Sequence, residues 1–339
     1  MTVKTRPRID IQSVFRLTEL ADYIVPFTIR AICDLGVADH LTEGPRPVEE
    51  LAEATGSHAP SLHRALRALA AKGIFTEVTH GVFDLTPLAQ PLRSDHPVSL
   101  RAAYPLLVPD IEAWAAFDHS VRTGKAAFDQ VYGQGYWEYM EQHPEDSARF
   151  DASQQAATRL ELRTALPAYE WGSMRTLVDV GGGNGAFLGG ILARFPDLHG
   201  TVFDLPHVVA GAHERLAEYG VADRCEVRGG SFLEEVPAGA DGYMLKRILY
   251  GWDDEQALVL LRTVRRAMRE DSRLLILEPV VRPGNEFDVG KLYDLLLLCM
   301  VGGGARSQER IEEMLAQAGL RLERTVPTMM FPILEIRPV

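Results

Sequence analysis

The sequence of 339 residues contains only three cysteines, Cys33, Cys225 and Cys299, which lie far apart and form no CxxC or other metal-binding spacing. This excludes a disulfide framework, and we predict a reduced, cytoplasmic protein. No run approaches the roughly 18 apolar residues that a membrane-spanning helix needs. The opening segment MTVKTRPRIDIQ has no apolar signal core. We therefore expect neither secretion nor a membrane partner.

Positive charge is also scarce. Lys and Arg number 35 against 47 Asp and Glu, which gives a formal net charge of −12. A chain this acidic repels polyanions unless its basic residues cluster. Hydrophobic residues make up 46% and charged residues 24% of the chain. These are ordinary values for a globular protein, and they exclude a disordered chain or a coiled-coil rod.

Residues 1–100 have the pattern of a small helical domain. Apolar residues recur at helical spacing from Ile11 to Leu35, with a kink expected at Pro26 and an end at Gly36. Because this apolar face is wide and lies near a terminus, we expect a second copy of the chain to cover it. Two short helices and a hairpin over 74–78 and 82–85 then predict a winged helix-turn-helix. The module has few basic residues, so packing or dimerisation is favoured over DNA binding.

Residues 101–167 are predicted to be helical connectors, and they are rich in aromatic side chains. About half of these side chains are expected to serve ordinary packing. The others would form a lid over an aromatic or hydrophobic ligand, and Gly133 and Gly135 would let the segment bend. The candidates for substrate contact are Trp114, Phe117, Tyr132 and Trp137.

Residues 168–339 alternate short strands with helices. The predicted strands cover 176–180, 200–204, 225–228, 241–245 and 273–277, and the predicted helices cover 186–194, 208–219 and 254–269. This alternation indicates a doubly wound α/β domain with a mostly parallel sheet. Such sheets bind ligands at the carboxyl ends of their strands.

The segment DVGGGNG, residues 179–185, follows a predicted strand and opens a helix. Its glycines allow a tight turn and a close approach to a ligand. Asp204 ends the next strand and can accept hydrogen bonds from two ribose hydroxyls, a layout that suits any adenosine ligand, NAD included. Asp179 separates the candidates, since a carboxylate there can receive a ligand ammonium but would repel a pyrophosphate. We therefore predict S-adenosylmethionine in preference to a nicotinamide cofactor.

The segment LVDVGGGNGAFLGGILARFPDLHGTVFDLPHVV resembles the cofactor-binding segment of the S-adenosylmethionine-dependent O-methyltransferases of natural-product pathways. These include the plant caffeate and flavonoid type and the bacterial polyketide-tailoring type. The Asp204-Leu205-Pro206 step, the run from Trp252 to Glu255 and the Gly302-Gly303 turn fit as well, and the resemblance covers nearly the whole chain. It implies a Rossmann-like C-terminal domain and a homodimer formed through the N-terminal helices, with a winged helix that does not read DNA.

The resemblance also implies a role for each matching position in binding S-adenosylmethionine, with S-adenosylhomocysteine as the product. The implied positions are Asp179, Gly181, Gly183 and Gly185 at the amino-acid end of the cofactor, Asp204 at the ribose, Leu205, Ser231 and Phe232 at the adenine, and Lys246 at the cofactor tail.

The chain departs from the family pattern at the catalytic base. The family usually places a His-Asp pair before the tryptophan, where this chain has Tyr250 and Gly251. Ala305 stands where the second carboxylate is usual, so only Glu278 remains of the acid/base set. A neutral tyrosine, with a pKa near 10, is a poor base at neutral pH. Family members also usually carry Asp where Ser231 stands, and serine binds the adenine amino group without charge assistance.

Three hypotheses follow. The first is methyl transfer to an already acidic oxygen (a phenol, enol or carboxylate) of a bulky aromatic metabolite, with Tyr250, Glu278 and Arg306 orienting the substrate. The second is a retained cofactor pocket with other chemistry, such as hydroxylation, a pericyclic or a decarboxylative step. The third is a winged-helix regulator, and a nicotinamide oxidoreductase is a distant fourth.

Two further residues lie on an apolar run that we predict to be a helix under the pocket. Leu298 is a candidate for substrate contact, and Asp294 would bond either substrate or a neighbouring backbone group. No His, Cys and carboxylate residues have metal-binding spacing, so no catalytic metal is predicted.

Overall fold

A computed structural model describes residues 10–105 and 107–339. The chain divides after residue 106 into two compact units. The second unit begins at Leu107, so it holds the predicted connector from residue 107 onward together with the α/β domain, whereas residues 101–106 belong to the first unit. Among the described residues, no helix combines the length and the apolar character that crossing a bilayer requires.

The first unit begins with two helices, α1 (Ile11–Ala21) and α2 (Ile24–Leu35). The break between them lies at Asp22 and not at Pro26, where the kink was predicted. The Asp22 carboxylate accepts a hydrogen bond from the Ile24 amide at 2.8 Å. Pro26 lies in the first turn of α2, where backbone N–H groups have no helical partner to lose. Gly36 ends α2 in a left-handed conformation, as predicted.

A helix pair and a small sheet complete the first unit in the predicted winged-helix arrangement. The helices are α3 (Val48–Thr55) and α4 (Ala59–Ala70), and the strands are β1 (Arg46–Pro47), β2 (Phe75–Thr79) and β3 (Val82–Leu85), paired in the order β1-β3-β2. Its fully buried side chains include Leu51, Leu66, Leu69, Phe75 and Phe83. Burying these apolar side chains is the main source of stability for so small a domain.

Five helices open the second unit. They are α5 (Val108–Ala115), α6 (Phe117–Thr123), α7 (Ala127–Tyr132), α8 (Tyr136–Gln142) and α9 (Pro144–Ala165). Phe128, Tyr136 and Tyr139 pack there into one buried cluster with Cys299 and Met300. Three of the nine aromatic residues of the predicted connector are thus core, and Phe117, Tyr132 and Phe150 pack partly buried against them.

A seven-stranded sheet forms the centre of the second unit, in the order β11-β12-β8-β7-β4-β5-β6. Its strands are β4 (Thr176–Val180), β5 (His199–Asp204), β6 (Cys225–Gly229), β7 (Gly242–Lys246), β8 (Arg273–Leu277), β11 (Leu320–Val326) and β12 (Ile333–Pro338). Strands β4 to β8 are parallel, whereas β12 runs antiparallel to β8 and β11. The parallel part confirms the predicted fold class.

The helices of this domain are α10 (Ala186–Arg194), α11 (Ala212–Glu218), α12 (Asp254–Ala267), α13 (Val289–Met300) and α14 (Gln308–Gln317), and β9 (Val280–Val281) pairs with β10 (Arg306–Ser307). The predicted helix over 208–219 is shorter, because residues 209–211 form a 3₁₀ turn instead. The C-terminal elements α14, β11 and β12 were not predicted.

The strand order places a crevice between β4 and β7. From β4 the chain winds outward through β5 and β6, then returns to place β7 on the other side of β4. Connections that leave in opposite directions open a ligand crevice at the carboxyl ends of the two strands. The segment 179–185 follows β4, and Lys246 ends β7, so both border this crevice.

Candidate active site

The glycine loop after β4 has a backbone that side chains would not permit. Gly181, Gly183 and Gly185 have φ of +76°, +59° and +77°, values in the left-handed region that favours glycine. A Cβ on Gly181 would lie 2.4 Å from the Cδ1 atom of Ile248, and one on Gly182 would lie 2.9 Å from the Asp179 carboxyl carbon. The loop therefore folds tightly against Asp179 and presents bare backbone to the crevice.

Asp179 is a buried carboxylate, 1% exposed, and neither of its oxygens has a hydrogen-bond partner within the described part of the chain. Burial raises its pKa to about 7, a rise that the Lys246 charge opposes and the Asp204 charge reinforces. A buried polar group without a partner is costly. An ammonium group of a ligand would supply the missing donors.

Asp204 ends β5 beside the same loop. Its carboxylate accepts hydrogen bonds from the amides of Gly183 at 3.0 Å and Leu205 at 2.7 Å. Burial raises the pKa of Asp204, and these two backbone hydrogen bonds counteract that rise. A carboxylate has about four acceptor positions, so two bonds leave capacity for ribose hydroxyls. The geometry thus fits the predicted ribose role.

Of the predicted adenine-side residues, Phe232 lies beside the glycine loop. Phe232 packs edge-on against Trp252, with 5.7 Å between ring centroids, and its Cε1 atom lies 3.6 Å from the Cβ position of Gly181. Leu205 is 41% exposed and so remains free to cover an adenine. The carbonyl of Ser231 accepts the amides of Glu234 and Glu235, which fixes the turn that carries these residues.

Lys246 makes an ion pair that sequence reasoning missed. Its Nζ atom lies 2.8 Å from Glu161 Oε2, and Arg247 Nε lies 3.2 Å from Glu161 Oε1. Glu161 comes from α9, and its side chain is 5% exposed. Burial and the neighbouring Arg247 lower the pKa of Lys246, while Glu161 supports its charge. No sequence signal linked these residues, because Glu161 precedes Lys246 by 85 positions.

Tyr250 lies in a 3₁₀ turn, Leu249–Gly251, at the position of the family's histidine. Burial raises the pKa of Tyr250 to about 12, with the Arg247 charge opposing this rise and the Glu278 charge adding to it. The phenol is therefore neutral at physiological pH and can donate a hydrogen bond, but it is not a general base. Gly303 packs against this turn, since a Cβ there would lie 2.9 Å from the Tyr250 carbonyl oxygen.

Glu278 follows β8 and is fully buried. Its Oε2 atom accepts the Tyr250 backbone amide at 3.2 Å, whereas Oε1 has no hydrogen-bond partner among residues 10–105 and 107–339. Burial raises its pKa to about 7, and the backbone bonds from Tyr250 and Leu249 and the Arg306 charge oppose that rise. Glu278 thus holds the Tyr250 turn in place through its backbone.

Arg306 occupies a different place from the expected substrate contact. Its guanidinium is 8% exposed, and all three of its nitrogens are engaged. Nε pairs with Asp254 at 2.8 Å, and the two Nη atoms donate to the carbonyls of Leu249 at 2.9 Å and Trp252 at 2.7 Å. Because each nitrogen donates to a protein oxygen and the side chain is nearly buried, the guanidinium is directed at the loop around Tyr250 and not at an open binding surface. Arg306 instead fixes the backbone on both sides of Tyr250.

Asp294 and Leu298 lie on α13, which confirms the predicted helix. Of the two predicted partners for Asp294, the structure has the backbone one, since its Oδ1 atom accepts the Ala305 amide at 3.0 Å. Burial raises the pKa of Asp294. Leu298 is half-buried, so part of its side chain remains open for contact.

The four aromatic candidates do not form a single group. Tyr132 stacks on Phe128 with 4.7 Å between centroids and donates its hydroxyl to Glu112, so it belongs to the core of the helical segment. Trp114 packs against Phe117 at 4.9 Å, with the tryptophan 40% exposed. Trp137 is 59% exposed. The two tryptophans keep large apolar surface available for a ligand.

The fold also brings together three potential metal ligands that sequence spacing did not reveal. In the first unit, His63, Glu77 and His80 offer atoms within 4.8 Å of one another. Glu77 Oε1 lies 3.0 Å from His63 Nε2 and accepts the Gly81 amide at 2.8 Å. His80, in contrast, is 90% exposed. These contacts hold the hairpin turn against α4, and this structural role explains why the three side chains lie together.

Comparisons with known proteins cover both units. An O-methyltransferase dimerisation domain matches residues 17–95, and an O-methyltransferase domain matches residues 114–321. The chain is 39% identical to the phenazine O-methyltransferase PhzM of Lysobacter antibioticus over 95% of each chain. It is 38% identical to the mitomycin biosynthesis 6-O-methyltransferase of Streptomyces lavendulae, covering 91% of this chain and 90% of that one.

A solved structure with bound ligands is also similar to this chain. The neocarzinostatin O-methyltransferase NcsB1, in complex with S-adenosylmethionine and 2-hydroxy-5-methyl naphthoic acid, has a TM-score of 0.78 and 34% identity, covering 98% of this chain and 100% of that one. The dimerisation-domain match supports the predicted homodimer. The chain belongs to the S-adenosylmethionine-dependent O-methyltransferases of bacterial natural-product pathways.

Proposed function

We propose that this enzyme methylates an acidic oxygen, a phenol or enol, on a fused aromatic metabolite, and that it does so by positioning and without a side-chain base. The observation that carries the proposal is Tyr250, a neutral phenol at the position of the family's histidine. Relatives named for phenazine and naphthoate acceptors support a fused aromatic substrate.

The cofactor end of the site fits the methyl donor. Asp179, with two buried and unpartnered oxygens, would receive the ammonium of S-adenosylmethionine, and Asp204 would hold its ribose. When bound, the cofactor supplies an electrophilic methyl group on its sulfonium. The rigid glycine loop would fix the amino-acid end of the cofactor, so that the direction of transfer is set before the acceptor arrives.

The acceptor end would orient an oxygen that is already ionised. A phenol or enol with a pKa near 7 loses its proton to water before transfer, so no residue has to remove it. The Tyr250 hydroxyl would donate a hydrogen bond to this oxygen, while Arg306 and Glu278 hold the Tyr250 backbone in place. The oxygen then forms a bond to the methyl carbon as the bond from carbon to sulfur breaks. The products are a methyl ether and S-adenosylhomocysteine.

The test is the pH dependence of transfer of an isotope-labelled methyl group to hydroxynaphthalenes of different acidity. If the acceptor must be ionised beforehand, kcat/KM rises about tenfold per pH unit and levels off at the pKa of each acceptor. Tyr250→Phe is expected to lower turnover by roughly tenfold, the loss of one hydrogen bond, and to leave these midpoints in place.

Two results would contradict the proposal. One is a single midpoint shared by all acceptors, which would point to a titrating group of the enzyme. The other is a loss of several orders of magnitude in Tyr250→Phe, which would make the tyrosine an obligatory proton-transfer group. Binding of the cofactor without transfer to any acceptor would favour the alternative of other chemistry in a retained pocket.

A further inference from the structure

Arg247 is held in a backbone conformation that arginine rarely adopts. Its φ is +56°, and no other non-glycine residue in the described part of the chain has a positive φ. The conformation is maintained by a hydrogen bond from its amide to the Leu277 carbonyl at 2.9 Å. Strained residues of this kind persist where the surroundings determine them, and they cluster at functional sites. With this backbone conformation, the Arg247 side chain lies just beyond the end of β7 and reaches Glu161.

The Arg247 guanidinium is enclosed but largely unpaired. Its side chain is 12% exposed, and its single ion pair runs from Nε to Glu161 at 3.2 Å. Neither Nη atom has a hydrogen-bond partner within residues 10–105 and 107–339, and Nε makes none of good geometry. Arg306 provides the contrast in the same domain, because all three of its nitrogens donate to protein oxygens. Buried arginines normally satisfy their donors, so Arg247 has capacity for a ligand.

The charge around Arg247 is not fully balanced by its partner. Glu161 is shared between Lys246 and Arg247, one carboxylate between two cations. Asp179 also faces Lys246, but its oxygens are suited to the cofactor's ammonium. The Arg247 side of the cluster therefore favours a ligand that brings negative charge.

Arg247 directly follows β7 and lies three residues before Tyr250, the tyrosine that replaces the family's histidine. The charge of its guanidinium acts on the phenols of Tyr250 and Tyr293, so these groups are close to it. No side-chain hydrogen bond within the described chain contributes to the electrostatics of the Tyr250 phenol, and Tyr250 is half-buried. Arg247 and Tyr250 thus offer two sets of open donors within one segment of four residues.

We infer that Arg247 binds a second oxygen function of the substrate, a carboxylate or a carbonyl that lies on the same ring system but not beside the hydroxyl that is methylated. The inference rests on the proposed function and names the chemistry of its substrate. A guanidinium offers parallel N–H donors that match two neighbouring oxygens, and a charge-assisted pair is stronger than a neutral one. Arg247 would hold the substrate ring by this oxygen pair, and Tyr250 would hold the acceptor oxygen itself.

The test compares two probes that differ only in a carboxylate para to the hydroxyl, 4-hydroxy-1-naphthoate and 1-naphthol. Their affinities are measured by calorimetry for the full-length enzyme saturated with S-adenosylhomocysteine. The wild type is expected to bind the naphthoate at least about tenfold more tightly. Arg247→Gln should abolish this preference and leave the affinity for 1-naphthol and for S-adenosylhomocysteine within about threefold.

Two variants guard against a folding artefact. Arg247→Gly removes the guanidinium and relieves the positive φ, so it should fold and show the same loss of preference. Arg321→Gln is the matched control, since Arg321 is an exposed arginine of β11 paired with Glu323, and it should keep the wild-type preference.

Each remaining result overturns the inference. A wild type without a preference for the naphthoate, a preference that survives in both Arg247 variants, or an equal loss for both probes would assign Arg247 to structure alone. The proposed function is judged separately: a wild type that does not bind S-adenosylhomocysteine would contradict it, whereas binding without a naphthoate preference contradicts only the role of Arg247.

Discussion

Two buried carboxylates, Asp179 and Glu278, carry similar electrostatic costs for different purposes. Burial raises the pKa of each to about 7. One Glu278 oxygen accepts a hydrogen bond from the Tyr250 backbone amide, whereas both Asp179 oxygens are without a partner in the described chain. A group that only a ligand can satisfy destabilises the free protein, which is a common trade-off at functional sites. At Asp179 we therefore expect one substitution to raise the stability of the free protein and to lower its affinity for the cofactor.

We predict that Asp179→Asn abolishes cofactor binding and stabilises the free enzyme above pH 7. The folded protein keeps the Asp179 proton up to about pH 7, while the unfolded chain loses it near pH 4. The folded state thus binds more protons in this window, so the free energy of unfolding falls as pH rises from about 4 to 7 and is constant beyond. The variant does not lose this free energy of unfolding, so at pH 8 it should be more stable than the wild type by on the order of 1 kcal/mol or more. Its melting temperature at pH 8 should accordingly be a few degrees higher.

The measurement is the melting temperature of cofactor-free protein from pH 5 to pH 8, with calorimetric titration of S-adenosylhomocysteine at pH 8. Asp223→Asn, at an exposed aspartate, is the control for removing one carboxylate. A difference between Asp179→Asn and wild type that does not change with pH would contradict the assigned protonation. Retained affinity would remove Asp179 from the ammonium role.

At the scale of elements, the segment from Leu249 to Asp254 is positioned by residues from two separate parts of the sheet region. Glu278, after β8, accepts the Tyr250 amide, and Arg306, in β10, donates to carbonyls on both sides of the turn. The short β9–β10 pair places Arg306 there, with Arg306 opposite Val280 in the parallel register. The acceptor end of the site therefore depends on contacts made by residues that need not touch substrate.

We predict that Arg306→Gln weakens catalysis through the position of Tyr250. Losing the charged donors leaves the Leu249 and Trp252 carbonyls without partners, which costs roughly 2–3 kcal/mol of stability. The variant should lower kcat by tenfold or more and leave the affinity for S-adenosylhomocysteine unchanged. Arg310→Gln, which removes the exposed partner of Asp254, is the comparison. An effect on KM for the acceptor alone would instead return Arg306 to direct substrate contact.

At the scale of the whole molecule, the first helix has no buried residue within the chain itself. Its apolar side chains are open to solvent, with Phe15 71% and Leu20 74% exposed. An apolar face of this kind is unusual on a monomer and marks a protein interface. Together with the dimerisation-domain match over residues 17–95, it leads us to predict that α1 lies in the subunit contact.

We predict that Phe15→Glu combined with Leu20→Glu converts the dimer to a monomer. Each substitution places a charge where the partner subunit would exclude water, and an unpaired buried charge is strongly unfavourable. Sedimentation velocity at micromolar concentration should show one species at about half the wild-type mass. Gln12→Glu, at an exposed polar position of α1, should remain dimeric. A double variant that stays dimeric would exclude α1 from the interface.

The sequence by itself determined the elements whose signals are local. Strands β4 and β8 and helix α10 have the predicted bounds. The spacing of apolar residues and the positions of glycines, which define such bounds, are visible within a short stretch of sequence. The glycine loop with Asp179, and Asp204 at the end of the next strand, were found for the same reason. Their positions follow from a strand-loop-helix unit of adjacent residues, and the family pattern extended this reading to the methyl donor and the homodimer.

The tertiary structure alone decided which distant residues meet. The pairing of Glu161 with Lys246 and Arg247, the contacts of Arg306 around the Tyr250 turn, and the grouping of His63 with Glu77 and His80 join residues far apart in the chain. Such contacts depend on strand order and helix packing, which no local period encodes. They also decide electrostatics, since a charged side chain acquires its role from burial and from its partner. For this reason Arg306 supports the Tyr250 turn. Arg247, in contrast, makes a single ion pair among the described residues and keeps donors for a ligand.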